Sequence, residues 1–511
     1  MEAVRVFAPP GCVLLAMSEF AASARPRESA TSGMLEVTER QLARSLAFLG
    51  DASRLRRKLR AALPITLSAI GASNVVRGGC LEPGSSCCKP EYTERSADGL
   101  PRGWLLRAFE LINRSWPHPA SRVVNRGKMA TPPSGYTECL NRYVPLDADV
   151  VLIGFAELCI RKGTYGVGYA RIQRLSELER LRVLLADSLQ GQLRSEFFAS
   201  VETVIRDLRA REDPPTIVFF NVFRWSCVSD GAPNGGYCPF ERSCDAAFME
   251  LAQYYQISVI SLRNALWHEA EPRRGSHGYP KWTRDDGLHL DLGQGDVMAA
   301  QMMRHWVTTA FATDRPDAGP TTSGPWLTNS TASNALQRKR SQYHRSRVRM
   351  PKSRGNAQVA AVCFDFGDAD SGWPVNPPRV LQADGWQFVR LDAGTSEGRR
   401  TLKEKPGMRA TQLGAILTLD TTRHGSRQLR LGFLQTYSSR AVARLSCMPP
   451  CTCAVTDVSA HADTRTSLTA YANVPGGFES PPDRTCKLSL KLVETGGPNS
   501  TGFKVTALHV S

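Results

Sequence analysis

Three side chains that lie far apart in the chain have the types and order needed to cleave an ester: Ser73, Asp286 and His289. Ester cleavage by a serine needs a base within hydrogen-bond reach, a group that fixes the base's tautomer, and N–H donors for the oxyanion. Ser73 ends the stretch Leu63-Pro64-Ile65-Thr66-Leu67-Ser68-Ala69-Ile70-Gly71-Ala72-Ser73-Asn74. An apolar run stopped abruptly by small residues reads as a buried strand closed by a sharp turn, with the hydroxyl presented at a sheet edge. In Asp286-Gly287-Leu288-His289 the carboxylate stands three residues before the imidazole. That spacing lets one turn bring it onto the ring nitrogen facing away from the serine. Each residue also has an ordinary structural use, as a turn residue or a helix-flanking side chain. Only the set points to chemistry.

A serine and a histidine more than two hundred residues apart meet only if a sheet gathers their loops at one edge. The remaining pattern supplies that sheet. Arg122-Val123-Val124-Asn125 reads as a second strand, the run from Asp149 to Ala156 as a third, Pro215–Asn221 as a fourth and Ile257–Leu262 as a fifth. Unbroken apolar runs of this kind suit a parallel sheet covered on both faces. Helical spacing lies between them, at Trp104–Asn113, over 175–211, in the segment before Ile257, and from about Gln294 to Thr308. Ahead of the Ser73 strand, Glu39–Ala62 reads as an amphipathic helix or helix pair. Alternation of strand and helix predicts an α/β domain of three layers, α/β/α, with a mainly parallel sheet. After a polar and then basic segment come short alternating runs at 386–391, 415–419, 429–434, 486–492 and 503–508. These predict a β-sandwich-like domain. The expected division is 1–58 as a disordered N-terminus with the amphipathic helix, 59–311 as the α/β domain, 312–356 as a basic Pro/Ser-rich linker, and 357–511 as the sandwich.

The chain of 511 residues carries 64 Lys+Arg against 48 Asp+Glu, a formal charge of +16. Much of the excess sits at Arg54–Arg60 and at Arg338–Arg354, read as a solvated helix face and a linker. The second run carries only Tyr343 and His344 among its charges and no nucleic-acid-binding pattern, so no nucleic-acid partner is expected. No window approaches about eighteen uninterrupted apolar residues, so no membrane span is expected either. The fourteen cysteines fall partly in clusters, 80/87/88, 227/238/244 and 447/451/453. No His/Cys spacing completes a four-ligand metal set, and disulfides of an oxidising compartment are the simpler reading. Sequons at Asn113, Asn329 and Asn499 agree with a secretory or extracellular route and are candidate glycosylation sites. The apolar stretch Cys12–Ala16 is short for a signal sequence.

Ser73 in an early strand–turn block and Asp286-x-x-His289 before the last helix resemble the first and last blocks of the SGNH (GDSL-like) hydrolase superfamily. The segment from Asn125-Arg126-Gly127 through Thr131–Ser134 and Cys139 to Leu146–Leu152 is similar to the middle blocks of its plant and green-algal members. The tail, with Leu431–Tyr437 and Cys447–Cys453, resembles the β-rich domain attached to such proteins. The resemblance implies Ser73 as nucleophile, His289 as base, Asp286 as its orienting acid, and backbone N–H groups at Ser73 and Gly127 as oxyanion donors. It implies no cofactor and no metal. Three departures stand out. Ala72 replaces the acid before the serine, the second-block glycine is shifted to the neighbourhood of Arg126, Gly127 and Ala130, and Leu158 falls where the family has its oxyanion asparagine. Leucine has no hydrogen to donate, and losing one such donor costs about 100- to 1,000-fold in turnover. Glu157 lies beside it, but a carboxylate repels an oxyanion unless it is protonated, whereas Arg77 or Lys128 could assist electrostatically.

The expected function is therefore a serine esterase acting on a small-molecule or carbohydrate ester, such as a cell-wall acyl ester, with an incomplete oxyanion hole. The alternative is a degenerate SGNH fold that binds a glycan or a partner. Oligomeric state is left open.

Overall fold

The computed structural model describes residues 37–81, 87, 89–159, 197–225, 244–270, 279–313, 362–366, 378–389, 406–421, 428–462, 467–474, 478–479, 486–497 and 500–510. The unstructured N-terminus, most of the helix expected over 175–211, the basic linker, and the sequons Asn329 and Asn499 lie outside them.

The strands read from sequence form, with β2 at Thr66–Gly71, β3 at Arg122–Asn125, β4 at Val150–Gly154, β5 at Thr216–Asn221 and β6 at Ser258–Ser261. All five pair in parallel, and with β1 (Leu46–Phe48) antiparallel on β6 they make the order β1-β6-β5-β4-β2-β3. Alternate residues of the fully buried strands feed two cores. Leu67, Ala69, Val150, Leu152, Val218 and Phe220 pack on one face against the helices Trp104–Ser115 and Gln294–Ala312. Ile70, Val151, Ile153, Ile217 and Phe219 pack on the other against helical residues 197–209 and the helix Asp245–Tyr255. The result is the α/β/α layering expected from the sequence.

Two local expectations change. The amphipathic stretch is not one continuous helix. It divides into α1 (Glu39–Ser45), β1 and α2 (Ser53–Arg60), because an edge of the sheet is open for β1 to pair. The Arg54–Arg60 face is not wholly solvated either. Arg54 is buried, with Nε 2.9 Å from Asp149 Oδ1, and Lys58 Nζ reaches Asp149 Oδ2 at 2.9 Å. Asp149 also accepts the Thr66 N–H at 2.8 Å, so two cations of α2 neutralise the carboxylate that aligns the starts of β2 and β4.

The second domain is a two-sheet β-sandwich. Strands β16 (Ser467–Asn473), β12 (Leu429–Thr436), β19 (Phe503–Val510), β10 (Gly407–Ala410) and β9 (Trp386–Val389) form one sheet, with β7 (Val362–Asp365) also pairing β19. The other sheet has the order β15 (Thr456–Ser459), β13 (Val442–Met448), β18 (Lys487–Glu494), β11 (Ile416–Asp420) and β8 (Arg379–Asp384). Leu417, Leu419, Leu431, Leu445, Leu488, Leu490 and Val505 fill the space between them. A two-stranded ribbon, β14 (Thr452–Cys453) on β17 (Phe478–Glu479), stands apart from both.

Five disulfides are formed among the described residues: Cys80–Cys87, Cys139–Cys363, Cys159–Cys244, Cys447–Cys453 and Cys451–Cys486. They agree with the oxidising compartment expected from the cysteine count. Cys139–Cys363 joins the two domains. Around it the loop 126–143 meets the sheet carrying β7, β12, β16 and β19. Asp365 accepts from Lys128 Nζ at 2.7 Å and from the Tyr143 hydroxyl at 2.6 Å. Glu138 accepts from Arg430 at 3.0 Å and lies 3.5 Å from His509 Nδ1, while the Thr469 N–H donates to the Ala130 carbonyl at 2.9 Å. No described helix is long and apolar enough to cross a membrane.

Candidate active site

The chain leaves β2 towards β3 on one side and leaves β4 towards β5 on the other. A crevice therefore opens between the carboxyl ends of β2 and β4, the place where open α/β sheets bind ligands. Ser73 follows β2 directly as the first residue of the short helix α3 (Ser73–Val76). Close packing explains the glycines there. A Cβ on Gly71 would stand 2.2 Å from the Gly154 carbonyl oxygen and 2.4 Å from Val75 Cγ2, and one on Gly154 would stand 2.6 Å from the same methyl. Only with both positions bare does α3 settle onto the strand ends with its serine at the crevice.

The loop before the helix Gln294–Ala312 brings the histidine. Thr283 and Leu290 form a bridge, and the Arg284 N–H donates to the His289 carbonyl at 2.9 Å, so residues 283–290 fold back as a tight hairpin. Gly287 sits at its tip with φ 62°, a left-handed conformation that favours glycine. Asp286 closes the turn from within. Its Oδ1 accepts the N–H groups of Leu288 at 2.8 Å and His289 at 2.9 Å, leaving Oδ2 for the His289 Nδ1 at 2.6 Å. On the other side of the ring, Nε2 lies 2.8 Å from Ser73 Oγ. The structure thus brings together the three residues singled out in the sequence. Burial acts to raise the Asp286 carboxyl. The bond to His289, the charge of that ring, and the two N–H donors outweigh it and hold the carboxyl well below the usual carboxylate range. Asp286 therefore stays an acceptor and keeps a proton on Nδ1, which leaves Nε2 free to receive one from the serine.

Asn74, whose role the sequence did not disclose, locks the two loops together. Its Nδ2 donates to the Leu288 carbonyl at 3.2 Å and its Oδ1 accepts the Leu290 N–H at 3.1 Å, bracketing His289. Its own carbonyl accepts from Trp104 Nε1 at 2.8 Å. Arg77, considered above as an electrostatic aid, is buried and donates to the Leu290 carbonyl at 3.1 Å, so it braces the same hairpin. We expect Asn74→Ala to lower kcat about 100-fold, the scale on which a misplaced catalytic group costs rate, with KM little changed. Steady-state kinetics on an activated ester checks this.

The oxyanion side differs from expectation at two positions. Gly127 packs against α3, where a Cβ would come within 2.6 Å of the Val76 nitrogen, and its N–H donates to Asn125 Oδ1 at 2.9 Å. That N–H is therefore engaged inside its own loop. Leu158 is half-buried against the hydrophobic core beyond β4. The residue that the short 3₁₀ turn Ala156–Leu158 carries to the Ser73 turn is Glu157, with Oε1 3.4 Å from the Asn74 backbone nitrogen. A one-residue offset in a turn this tight decides which side chain faces inward, and a linear comparison of blocks cannot register it. Ser73 opens α3 at the carboxyl end of β2. Lys128, the other cation considered, is held by Asp365. Of the candidate glycosylation sites only Asn113 is described. It lies half-buried in the last turn of Trp104–Ser115, with its Oδ1 accepting the His118 N–H at 3.2 Å.

Neither a protein-family model nor a curated protein matches the sequence. Among solved structures, a two-domain esterase active on acetylated mannans aligns over 92% of this chain and 98% of its own at 14% identity, with a TM-score of 0.49. The acetylxylan esterase Axe2 from Geobacillus stearothermophilus aligns over 49% of this chain and 97% of its own at 14% identity and a TM-score of 0.30. The C-terminal CBM6 of the marine laminarinase LamC from Zobellia galactanivorans aligns over 30% of this chain and 98% of its own at 11% identity and a TM-score of 0.20. At these values the likeness decides neither the reaction nor the substrate of this chain.

Proposed function

We propose that the chain is an SGNH-type serine esterase that works through an acyl-enzyme. The observation that carries this reading is the continuous Ser73–His289–Asp286 hydrogen-bonded line, 2.8 Å and 2.6 Å long in its two links. In the reaction Ser73 Oγ attacks the ester carbonyl carbon as its proton passes to His289 Nε2, giving a tetrahedral oxyanion. Collapse expels the alcohol, which takes the proton from Nε2, and leaves the acyl group on Oγ. Water, deprotonated by the same Nε2, then attacks the acyl carbon and releases the acid. The Ser73 N–H, at the start of α3, is the backbone donor for the oxyanion in this reading. The substrate class carried by the resemblance is a carbohydrate or cell-wall acyl ester, and the likeness to plant and green-algal members rests on residues 125–152 and the tail.

A fluorophosphonate reagent tests the reading directly. It should attach one equivalent at Ser73, found by mass spectrometry of the digest, and abolish hydrolysis of 4-nitrophenyl acetate. Absence of labelling together with equal rates for wild type and Ser73→Ala would sink it. Acetate release from acetylated mannan, set against acetylated xylan, then separates substrate classes.

A further inference from the structure

Beside the turn that carries Ser73, the turn that follows β4 carries Glu157. Gly71 and Gly154 are register partners at the ends of β2 and β4. Ser73 therefore comes two residues after one strand end and Glu157 three residues after the other. Glu157 is 1% exposed. Its Oε1 takes the N–H of Asn74, the residue next to the nucleophile. Its Oε2 is buried and has no hydrogen-bond partner among the described residues. An ionised carboxylate would leave one charged oxygen unpaired and shielded from water, which is unfavourable. A neutral carboxylic acid solves the problem differently: Oε1 accepts from the backbone as a carbonyl, and Oε2 carries the proton as a donor awaiting an acceptor.

Resting on the esterase reading, we propose that Glu157 is the side-chain oxyanion donor of this site. Its Oε2–H takes the place of the asparagine amide that the family uses and this chain lacks. A tetrahedral intermediate on Ser73 then receives the Ser73 N–H from the β2 side and the acid proton from the β4 side. The proton is shared with the oxyanion and returns to Glu157 when the intermediate collapses, so none is consumed.

Burial pushes the Glu157 carboxyl up to about 7, against the opposing hydrogen bonds of its own backbone and of Asn74. Asn74 from α3 is the group bonded to it, and the 156–158 turn packs on β5, whose end carries Asn221 near the Asp245–Arg263 pair. No charged side chain figures among the causes of its shift. The donor form is the low-pH form, so the contribution is present below about 7 and is lost as the pH rises through that value.

The test follows kcat/KM of the full chain on 4-nitrophenyl acetate from about pH 5 to about pH 9, with fluorophosphonate labelling of Ser73 run in parallel. Wild type should lose activity on the alkaline side. Glu157→Gln, whose amide N–H replaces the acid proton, should keep most of the activity and lose that alkaline fall. Glu157→Ala should fall about 100- to 1,000-fold below wild type on the acid side, the usual cost of a missing oxyanion donor, and the gap should close on the alkaline side, where wild type loses its own donor. An infrared difference between wild type and Glu157→Gln should show a protonated-carboxyl stretch at acid pH that fades on the alkaline side, whether or not the chosen ester is turned over. A Ser73 that labels, with Glu157→Gln matching wild type at every pH or with no protonated-carboxyl band, overturns the donor alone. A Ser73 that takes no label overturns the serine-hydrolase reading and the donor with it.

Discussion

His289→Ala should lower kcat about a million-fold, because without the imidazole neither the attack of Ser73 nor the departure of the alcohol has a proton carrier. Asp286→Asn should fall less, about 10,000-fold, since an amide can present its N–H to Nδ1 and hold the ring in the tautomer whose proton is on Nε2. Single-turnover hydrolysis of an activated ester separates these effects from product release. In both variants KM should stay near the wild-type value, because neither residue contributes much to ground-state binding. The two residues act as a unit, so the double variant should be little worse than His289→Ala alone. Additive losses would instead mean that Asp286 serves mainly to build the hairpin, through the N–H groups of Leu288 and His289 that it also accepts.

Asp365→Ala should destabilise the chain by about 1–3 kcal/mol, less than the loss of a fully buried partner, because the cation it strands, Lys128, is half-buried. Asp365 neutralises Lys128 between the two domains and also holds the Tyr143 hydroxyl. Burial alone would raise its carboxyl. The Lys128 charge, the neighbouring His509 and the hydrogen bonds from Lys128 and Tyr143 bring it down to about 2. A depressed carboxyl contributes stability above its unfolded value, near 3.8, and loses it as the pH falls towards about 2. Urea midpoints of wild type should therefore drop over that acid window, while those of Asp365→Asn, already lower at neutral pH, should change less. The effect should also reach activity, since Lys128 donates its backbone N–H to the Gly71 carbonyl at 2.9 Å, two residues before the nucleophile.

The sequence disclosed the parts of the site that depend on type and order. An apolar run ending in Gly71-Ala72-Ser73 and an Asp-x-x-His turn are local signals, and both formed as read. The parallel strands were legible for the same reason: a strand buried on both faces must be apolar at every position. What stayed hidden depends on contacts between distant segments. Asn74 has nothing in its neighbourhood to mark it, because its partners lie over two hundred residues away. Gly127 reads in sequence as a free backbone donor, whereas the Asn125 side chain folds back to accept its N–H. Glu157 reads in sequence as an ordinary charge, since nothing local marks its burial to 1% exposure. Arg54 reads as part of a solvated face because its partner, Asp149, is remote in the chain.

The disulfide and ion pairs between the domains fix a loop. The loop 126–143 is tied at Lys128, Ala130, Glu138 and Cys139 to one sheet of the sandwich, and the same loop rests on the helix that begins with Ser73. The second domain thus acts as a splint for the first: a substitution at Cys363, Asp365, Arg430 or Thr469 would be felt, through that loop, at the turn that presents Ser73.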